Sequence, residues 1–369
     1  MQATAEEHRF PCAQCGADMR FEPGGSELVC DHCGHTETVA QPRASHQPIP
    51  ELDFRRAVEA RLPEAEIETV RISRCPNCGA EVAFDPAVHA TECPFCATPV
   101  VADTGENRQI KPRGLAPFVL HETEARKAMA DWLGSLWFAP SGLVDYARKG
   151  RAMQGIYVPY WTFDAATASR YRGQRGTVYY ESQQVQVRDQ HGRMRNETRQ
   201  VQKIRWQPAS GQVARNFDDV LVLASRSLPE SHTSALMPWD LTQLEPYRPE
   251  YLAGFRAEGY TVPLEDGMTD ARQQMDRMIE RDVRFDIGGD RQQIEQIETT
   301  VSDVTFKHIL LPVWTAAYRF RGRSFRFVVN GQTGKVQGER PWSIVKIAFA
   351  VALLAALVAA GAYFSQLQR

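Results

Sequence analysis

The sequence has no marked excess of charge of either sign and no recognisable catalytic motif. Its 369 residues carry 43 basic and 45 acidic side chains, so any argument for a nucleic-acid or membrane-surface partner must come from local clustering. A phosphate-binding glycine loop, a nucleophile elbow, a His-Glu-x-x-His motif and a paired-carboxylate site are all missing. Asp218 and Asp219 are adjacent, and on a strand their side chains would face apart. We therefore expect that the protein is not an enzyme.

Long apolar runs are also scarce, and the start of the chain has none. Residues 1–10 contain Glu6 and Glu7 and lack a basic head followed by an apolar segment, so we expect neither a secretory signal nor a transit peptide there. The one long run ends the sequence, where residues 347–364 carry no charge. With residues 344–346 added, a helix of this segment would extend about 31 Å, against about 30 Å for a hydrocarbon core. This predicts a single transmembrane helix over residues 344–364, because a core helix of that length would show a polar face.

The flanks of this segment predict its orientation. Lys346 lies at the rim, where a long side chain can reach the lipid headgroups, and Trp342 and Tyr363 lie near the two interfaces. Basic residues precede the segment, and only Arg369 follows it. The positive-inside rule then predicts a tail-anchored protein of the inner (cytoplasmic) membrane, with most of the chain in the cytoplasm.

All eight cysteines occur in Cys-x-x-Cys pairs, and none is left over. Adding 63 to each position of the first two pairs gives the second two, and Gly16 with Gly79 and Phe21 with Phe84 match at the same spacing. This is a tandem repeat. The pairs are Cys12 and Cys15, Cys30 and Cys33, Cys75 and Cys78, and Cys93 and Cys96.

Two such pairs on either side of a short hairpin form a closed tetrahedral site that suits structural zinc. In the first unit, Pro23, Gly24 and Gly25 supply the turn of that hairpin. Iron is an alternative, because four thiolates also hold iron, and disulfides are another, which a reducing cytoplasm disfavours. The sequence therefore predicts two structural Zn²⁺ ions in two zinc ribbons. One ion is held by Cys12, Cys15, Cys30 and Cys33, and the other by Cys75, Cys78, Cys93 and Cys96.

The ribbons are acidic. Residues 1–40 contain two basic and seven acidic residues, and residues 71–104 contain two basic and four acidic ones. Each four-thiolate zinc site adds two further negative charges, so these surfaces would repel phosphate. We therefore expect the ribbons to contact a protein partner and not nucleic acid.

The pattern between the ribbons and the apolar run predicts an α+β chain. We expect zinc ribbon 1 over residues 1–40, a linker with a short helix over 41–70, zinc ribbon 2 over 71–104, and a β-rich antiparallel body over 115–340. Helical spacing predicts helices over 121–138, 249–259 and 266–285, while alternation predicts strands over 156–163 and a meander over 309–329. Residues 178–188 and 195–206 form a long hairpin about 189–193.

This hairpin is basic. Residues 170–215 contain ten basic residues against three acidic ones. Three interpretations are open: a solvated hairpin whose charge deters edge pairing, contact with anionic lipid or an acidic partner, and nucleic-acid binding, which the acidic ribbons make the least favoured. The candidate contact surface consists of Arg188, Arg193, Arg195, Arg199, Lys203 and Arg205.

Several segments carry a likeness to a known family. The Cys-x-x-Cys-Gly knuckles, the segments 158–164, 251–260, 311–314 and 329–335, and the terminal apolar run resemble a family of bacterial membrane proteins with N-terminal zinc ribbons. Its members are often labelled primosomal-helicase-like or general-transcription-factor-B-type zinc-finger proteins. The resemblance implies a membrane-bound accessory protein, encoded in some genomes near band-7/SPFH or phage-shock-type membrane-stress proteins. It implies no catalytic residues.

These observations lead to one functional hypothesis and one alternative. The first is a tail-anchored cytoplasmic adaptor or scaffold that uses its ribbons to bind protein partners at the inner membrane, with a role in membrane stress implied by the resemblance. The alternative is a nucleic-acid-binding zinc-ribbon protein tethered to the membrane.

Overall fold

The computed structural model describes residues 10–39, 49–77, 80–83, 90–93, 98–101, 106–140, 153–188, 194–228, 230–320 and 323–367. The chain is α+β, with a β-rich sheet body and few helices. The helices are α1 (Phe54–Val58), α2 (Glu122–Ser135), α3 (Glu230–Ala235), α4 (Leu264–Ile287) and α5 (Ile344–Leu367). Short 3₁₀ turns span Glu64–Glu66, Leu241–Gln243 and Pro249–Leu252.

The strands fall into two groups by position in the chain. The first group is β1 (Arg20–Phe21), β2 (Glu27–Val29), β3 (Thr36–Thr38), β4 (Leu52–Asp53), β5 (Ile67–Arg74), β6 (Glu81–Ala83), β7 (Ala90–Glu92), β8 (Pro99–Val101), β9 (Glu106–Ile110) and β10 (Gly114–Leu115). The second is β11 (Gln154–Arg188), β12 (Met194–Leu223), β13 (Glu245–Pro246), β14 (Arg256–Ala257), β15 (Arg291–Phe320), β16 (Arg323–Asn330) and β17 (Val336–Gly338).

Three very long strands form the body. They lie in the order β12-β11-β15, and both ladders are antiparallel. β11 alone has 35 residues, which corresponds to about 115 Å at about 3.3 Å per residue. β16 and β17 continue the antiparallel sheet, whereas β10 joins β15, and β14 joins β11, in parallel. The antiparallel body is thus confirmed, with short parallel additions at its edges.

The two faces of the sheet carry different cores. Trp161 and Phe163 point to the face covered by α4, where they pack with Ala271, Met275 and other buried residues of the helix. The neighbouring positions, Ile156, Val158 and Tyr160, point to the opposite face and pack with Leu228, Leu236 and Trp239. The strands are apolar on both faces over this stretch, so the sheet is covered on both sides here.

The contact between α4 and the sheet depends on Gly267. A Cβ at this position would lie 2.6 Å from Cδ1 of Trp161, whose indole N–H donates to the carbonyl of Val262 at 3.1 Å. Because Trp161 is fully buried, it cannot move aside. We expect Gly267→Ala to lower the free energy of unfolding by about 1–3 kcal/mol, measured by urea denaturation.

Gly134 in α2 provides the matched control. It is also helical, but a Cβ there meets no atom of the described residues within 4 Å. We expect Gly134→Ala to leave stability unchanged or to raise it by up to about 1 kcal/mol. Equal effects of the two substitutions would contradict the packing argument.

Several predictions for the body are confirmed and others are wrong. α2 is confirmed with Ala125, Met129 and Leu133 buried, and α4 is confirmed with slightly wider bounds. The helix predicted over 249–259 is wrong beyond Leu252. Gly254 has a φ of 80°, which breaks the helix, and the chain then runs alongside β11 as β14. The meander predicted over 309–329 is confirmed, because β16 folds back antiparallel on the last part of β15 and β17 folds back on β16. The linker helix is reduced to α1.

The apolar helix α5 leaves the sheet at one end. β17 pairs with β16 through Gly338 and Phe327, and Phe327 in turn lies opposite Ala316 of β15. Ala316 follows Thr315, and Thr315 pairs with Gln154, the first residue of β11. β17 therefore lies near the start of β11. Within residues 344–361, which have a mean hydropathy of 2.5, none of the helix is buried against the rest of the protein. The helix is therefore long and apolar enough to span a membrane.

Candidate functional site

The first cysteine unit folds as two knuckles joined by a small three-stranded sheet, β1-β2-β3. In each knuckle, the N–H of the first cysteine donates to a carbonyl five residues on: Cys12 to Ala17 at 2.7 Å, and Cys30 to His35 at 2.8 Å. Gly16 and Gly34 have φ values of 75° and 74°, and their N–H groups donate back to the first cysteine of each knuckle. These tight turns direct both thiols of a pair to one point.

The four sulfur atoms of this unit meet in one place. The Sγ atoms of Cys12, Cys15, Cys30 and Cys33 all lie within 4.8 Å of one another. The Cys12–Cys33 and Cys15–Cys30 separations are 3.5 Å each. A disulfide needs about 2.05 Å, whereas four thiolates at about 2.3 Å from a tetrahedral ion lie about 3.8 Å apart. The cluster could hold a metal ion, and its geometry disfavours disulfides.

Local hydrogen bonds favour the deprotonated form of one thiol of this cluster, which is the form that binds metal. The backbone N–H groups of Cys33 and His32 stabilise the thiolate of Cys30 and lower its pKa to about 6, against the opposing effect of burial. Cys12 and Cys30 are buried, whereas Cys15 and Cys33 are exposed. The His35 ring lies 3.3 Å from the Glu37 carboxylate and is not part of the four-cysteine cluster.

The second cysteine unit repeats the backbone of the first over its described part. β7 and β8 pair in the same register as β2 and β3, displaced by 63 residues. The N–H of Cys75 donates to Ala80, and that of Cys93 to Thr98, both at 2.8 Å, which are the same bonds as those of Cys12 and Cys30. Cys75 and Cys93 are buried. Cys78 and Cys96, the other predicted ligands, lie outside the described residues.

The two units dock on opposite faces of the sheet through one short segment, residues 251–257. Phe21 of the first unit packs against Tyr251, with ring centroids 5.0 Å apart, and its N–H donates to Ala253 at 2.9 Å. In the second unit, β6 contacts β14, and Cys75 and Cys93 belong to the hydrophobic cluster on the other face, which contains Ile156 and Val158. This segment was missed as a functional element, because its spacing resembled a helix. Gly254, whose Cβ would lie 2.7 Å from Cβ of Arg20, was the available signal.

The basic hairpin projects past the end of the three-stranded sheet. The ladder between β11 and β15 ends at the pair Gly176 and Arg291. Beyond it, residues 177–188 and 194–205 pair only with each other, among the described residues, and form a two-stranded arm of about 40 Å. Arg188 closes this ladder opposite Met194, and Arg193 lies outside the described residues. The predicted hairpin is confirmed, and it is the tip of a much longer one.

The two faces of the arm differ in charge. Cross-strand partners share a face, so Tyr179 lies beside Lys203, and Thr177 beside Arg205. Arg195, Arg199, Lys203 and Arg205 all lie on this face together with Glu181 and Glu197. Among the described residues, the opposite face has one charged position, Arg188 at the tip opposite Met194. Its other positions are Val178, Tyr180, Ser182, Gln184, Gln186, Met194, Asn196, Thr198, Gln200, Gln202 and Ile204.

Ion pairs reduce the free charge of the basic face. Lys203 pairs with Glu181, Arg199 lies 3.6 Å from Glu197, and the guanidinium of Arg205 lies 5.3 Å from the centre of the Tyr179 ring. The arm is therefore a folded polar surface with moderate positive charge.

A cluster of three aspartate side chains lies where β11 is bulged. Carboxylate oxygens of Asp164, Asp218 and Asp219 lie within 4.8 Å of one another, so the prediction that Asp218 and Asp219 face apart is wrong. Asp219 has a φ of 52°, which turns its side chain out of the strand alternation. Burial, with the Glu51 carboxylate adding to it, raises the pKa of Asp164 to about 7.

A cation already occupies this cluster. The Lys307 ammonium, only 8% exposed, lies 2.8 Å from both Asp219 and Glu51. Burial opposes its charge, but hydrogen bonds to Asp219 and Glu51 raise its pKa. We therefore interpret this cluster as an ion-pair network that fastens the segment around Glu51 to the sheet.

A comparison with curated proteins finds a distant relative. The chain is 24% identical, over 342 residues that cover 92% of each protein, to a Bacillus subtilis (strain 168) protein described as "Uncharacterized protein YdjG". No family model matches the chain, and no solved structure matches it. The similarity covers most of both chains, and the relative's description names no activity, ligand or partner.

Proposed function

We propose that this protein is a membrane-anchored zinc-ribbon adaptor that binds protein partners on the cytoplasmic side of the inner membrane. The observation that carries the proposal is the four-cysteine cluster of residues 12–33, which is docked on the same end of the sheet from which the exposed apolar helix α5 leaves. A second structural zinc ion, held by Cys75, Cys78, Cys93 and Cys96, belongs to the proposal. Its support is the repeated knuckle hydrogen bonds.

The outer surface of the first ribbon suits a protein partner. Its apolar side chains, Met19, Phe21 and Leu28, are buried, which leaves an exposed surface of polar and acidic residues. Its described residues contain five acidic side chains against one basic one, Arg20, and Arg20 is itself paired with Glu22 and Asp31. A metal with four thiolates adds negative charge, so the partner surface is expected to be basic. SPFH/band-7 or phage-shock-type proteins are the partners that the family resemblance implies.

The basic arm lies far from the membrane anchor in this proposal. Its tip lies at the opposite end of β11 from α5, about 110 Å away along the strand. If the sheet rises from the bilayer, the arm reaches into the cytoplasm rather than along the lipid. Because two of its basic side chains are neutralised by ion pairs, a protein partner suits it better than nucleic acid.

Charge reversal on the ribbon tests the adaptor proposal. We expect Asp18→Lys with Glu27→Lys to reduce by at least tenfold the proteins crosslinked to the full chain in intact cells, because both residues are exposed on the acidic surface. The readout is quantitative mass spectrometry of crosslinked, detergent-extracted complexes. Glu265→Lys with Asp270→Lys on α4 makes the same charge change at exposed positions and should leave the crosslinked set unchanged.

The alternative function has a distinct readout. Nucleic-acid binding would appear as affinity that falls steeply with salt and is lost on replacing Arg195, Arg199 and Arg205 by glutamate. Salt-dependent binding of this kind, together with crosslinking unaffected by the ribbon variant, would replace the adaptor proposal.

A further inference from the structure

We propose that the turn after α2, residues 136–140, is a second membrane contact, with the Trp137 indole inserted at the lipid headgroup level beside the anchor. The inference rests on the proposed membrane anchoring through α5. Trp137 is 78% exposed, which is unusual for the largest apolar side chain. An isolated exposed tryptophan needs no explanation by itself. Its position relative to α5 is what gives it a meaning.

Backbone and side-chain hydrogen bonds fix this turn against the base of α5. The N–H of Ser343, the residue before the helix, donates to the carbonyl of Phe138 at 2.8 Å. The Lys346 ammonium donates to the carbonyl of Ala139, also at 2.8 Å. Lys346 is the third residue of α5, so its side chain runs back from the apolar segment to the turn. The turn is thereby held level with the first helical residues.

The surrounding side chains have the composition of a membrane interface. The Phe138 and Trp342 rings lie 6.4 Å apart, and the Arg340 guanidinium lies 4.3 Å from the centre of the Trp342 ring. Trp342 is 55% exposed and Ile344, at the start of the helix, is 81% exposed. Tryptophan favours the headgroup region, and arginine and lysine beside it attract anionic lipid. Trp137 completes this group on a different segment of the chain.

A second membrane contact would restrict motions of the body that a single spanning helix allows. A single spanning helix can rotate about its own axis and change its tilt, whereas a second contact on the folded body restricts both motions. α2 connects the turn to the core through Ala125, Met129 and Leu133. The consequence is a defined orientation of the sheet, which directs the arm away from the bilayer.

Quenching of tryptophan fluorescence by lipid tests this proposal. The full chain is reconstituted in phosphatidylethanolamine and phosphatidylglycerol vesicles, with and without bromine on the upper acyl chain. We expect Trp137→Phe to lower the quenched emission by about half, because Trp137 and Trp342 are the exposed tryptophans at this level. Trp206→Phe is the matched control, since Trp206 is 40% exposed but lies opposite Gly176, far along the sheet.

The outcomes separate this proposal from the anchoring itself. Quenching that is undiminished in Trp137→Phe, while the chain floats with the vesicles, would overturn the second contact and leave the anchor standing. An equal loss in Trp206→Phe would also overturn it, since the sheet would then lie on the bilayer. If the wild-type chain neither floats nor is quenched, the anchoring fails and the second contact fails with it.

Discussion

Elemental analysis of the purified protein is expected to give two zinc atoms per chain, and Cys15→Ser with Cys33→Ser is expected to give one. These two cysteines are the exposed members of the first cluster, so their replacement removes ligands without opening the buried core. A ribbon of this size has little core of its own, and structural zinc contributes about 10–16 kcal/mol to folding. We therefore expect the variant to be cleaved within residues 10–39 by a protease that leaves the wild type intact.

Histidine variants provide the control for this experiment. His32 lies within the second knuckle and His35 just after it, but four sulfurs already complete a tetrahedral site. His32→Ala should therefore retain both ions and the protease resistance. If elemental analysis detects iron and not zinc, the assignment of the metal changes from zinc to iron. A chain without metal, or a variant that keeps two ions, would contradict the ribbon assignment.

The sequence predicted the cysteine unit well because its chemistry is local. Cys-x-x-Cys spacing and the following glycines determine the knuckle within six residues, and the 2.7 Å and 2.8 Å bonds of Cys12 and Cys30 are such local contacts. The helices α2 and α4 were predicted for the same reason, since a buried stripe at helical spacing depends on one element alone.

The features that could not be predicted from the sequence depend on contacts between residues that are far apart in the chain. The segment 251–257 has helical spacing, but Gly254 and pairing with Ile156 and Tyr157 make it extended. Asp218 and Asp219 lie together beside Asp164 because a bulge in β11 and the positive φ of Asp219 interrupt the strand alternation that adjacent positions imply. The position of Trp137 beside α5 depends on hydrogen bonds that Ser343 and Lys346, about two hundred residues later in the chain, donate to the turn. None of these can be read from periodicity.

Two charges in the middle of α5 are expected to release the chain from the membrane. Leu354 and Leu357 are 63% and 62% exposed and lie near the centre of the apolar segment. Arginine at the centre of a spanning helix costs about 2.5–3.5 kcal/mol, so Leu354→Arg with Leu357→Arg opposes insertion by about 5–7 kcal/mol. We expect the wild type in the carbonate-resistant membrane pellet and the variant in the soluble fraction.

The same fractionation, with a conservative variant and a protease, separates anchoring from surface binding. Leu354→Val with Leu357→Val keeps the apolar character and should remain in the pellet, whereas a chain held only by surface charge would leave the pellet in carbonate whichever residue stands at these positions. Protease added to intact spheroplasts should spare the sheet body and cut it only after lysis, because the basic residues that precede the helix are expected to keep the body in the cytoplasm. Cleavage of the body in intact spheroplasts would reverse the orientation, and the cysteines would then face an oxidising compartment where zinc thiolates give way to disulfides. Membrane side and metal chemistry are thus linked, and agreement between this result and the zinc content would support both.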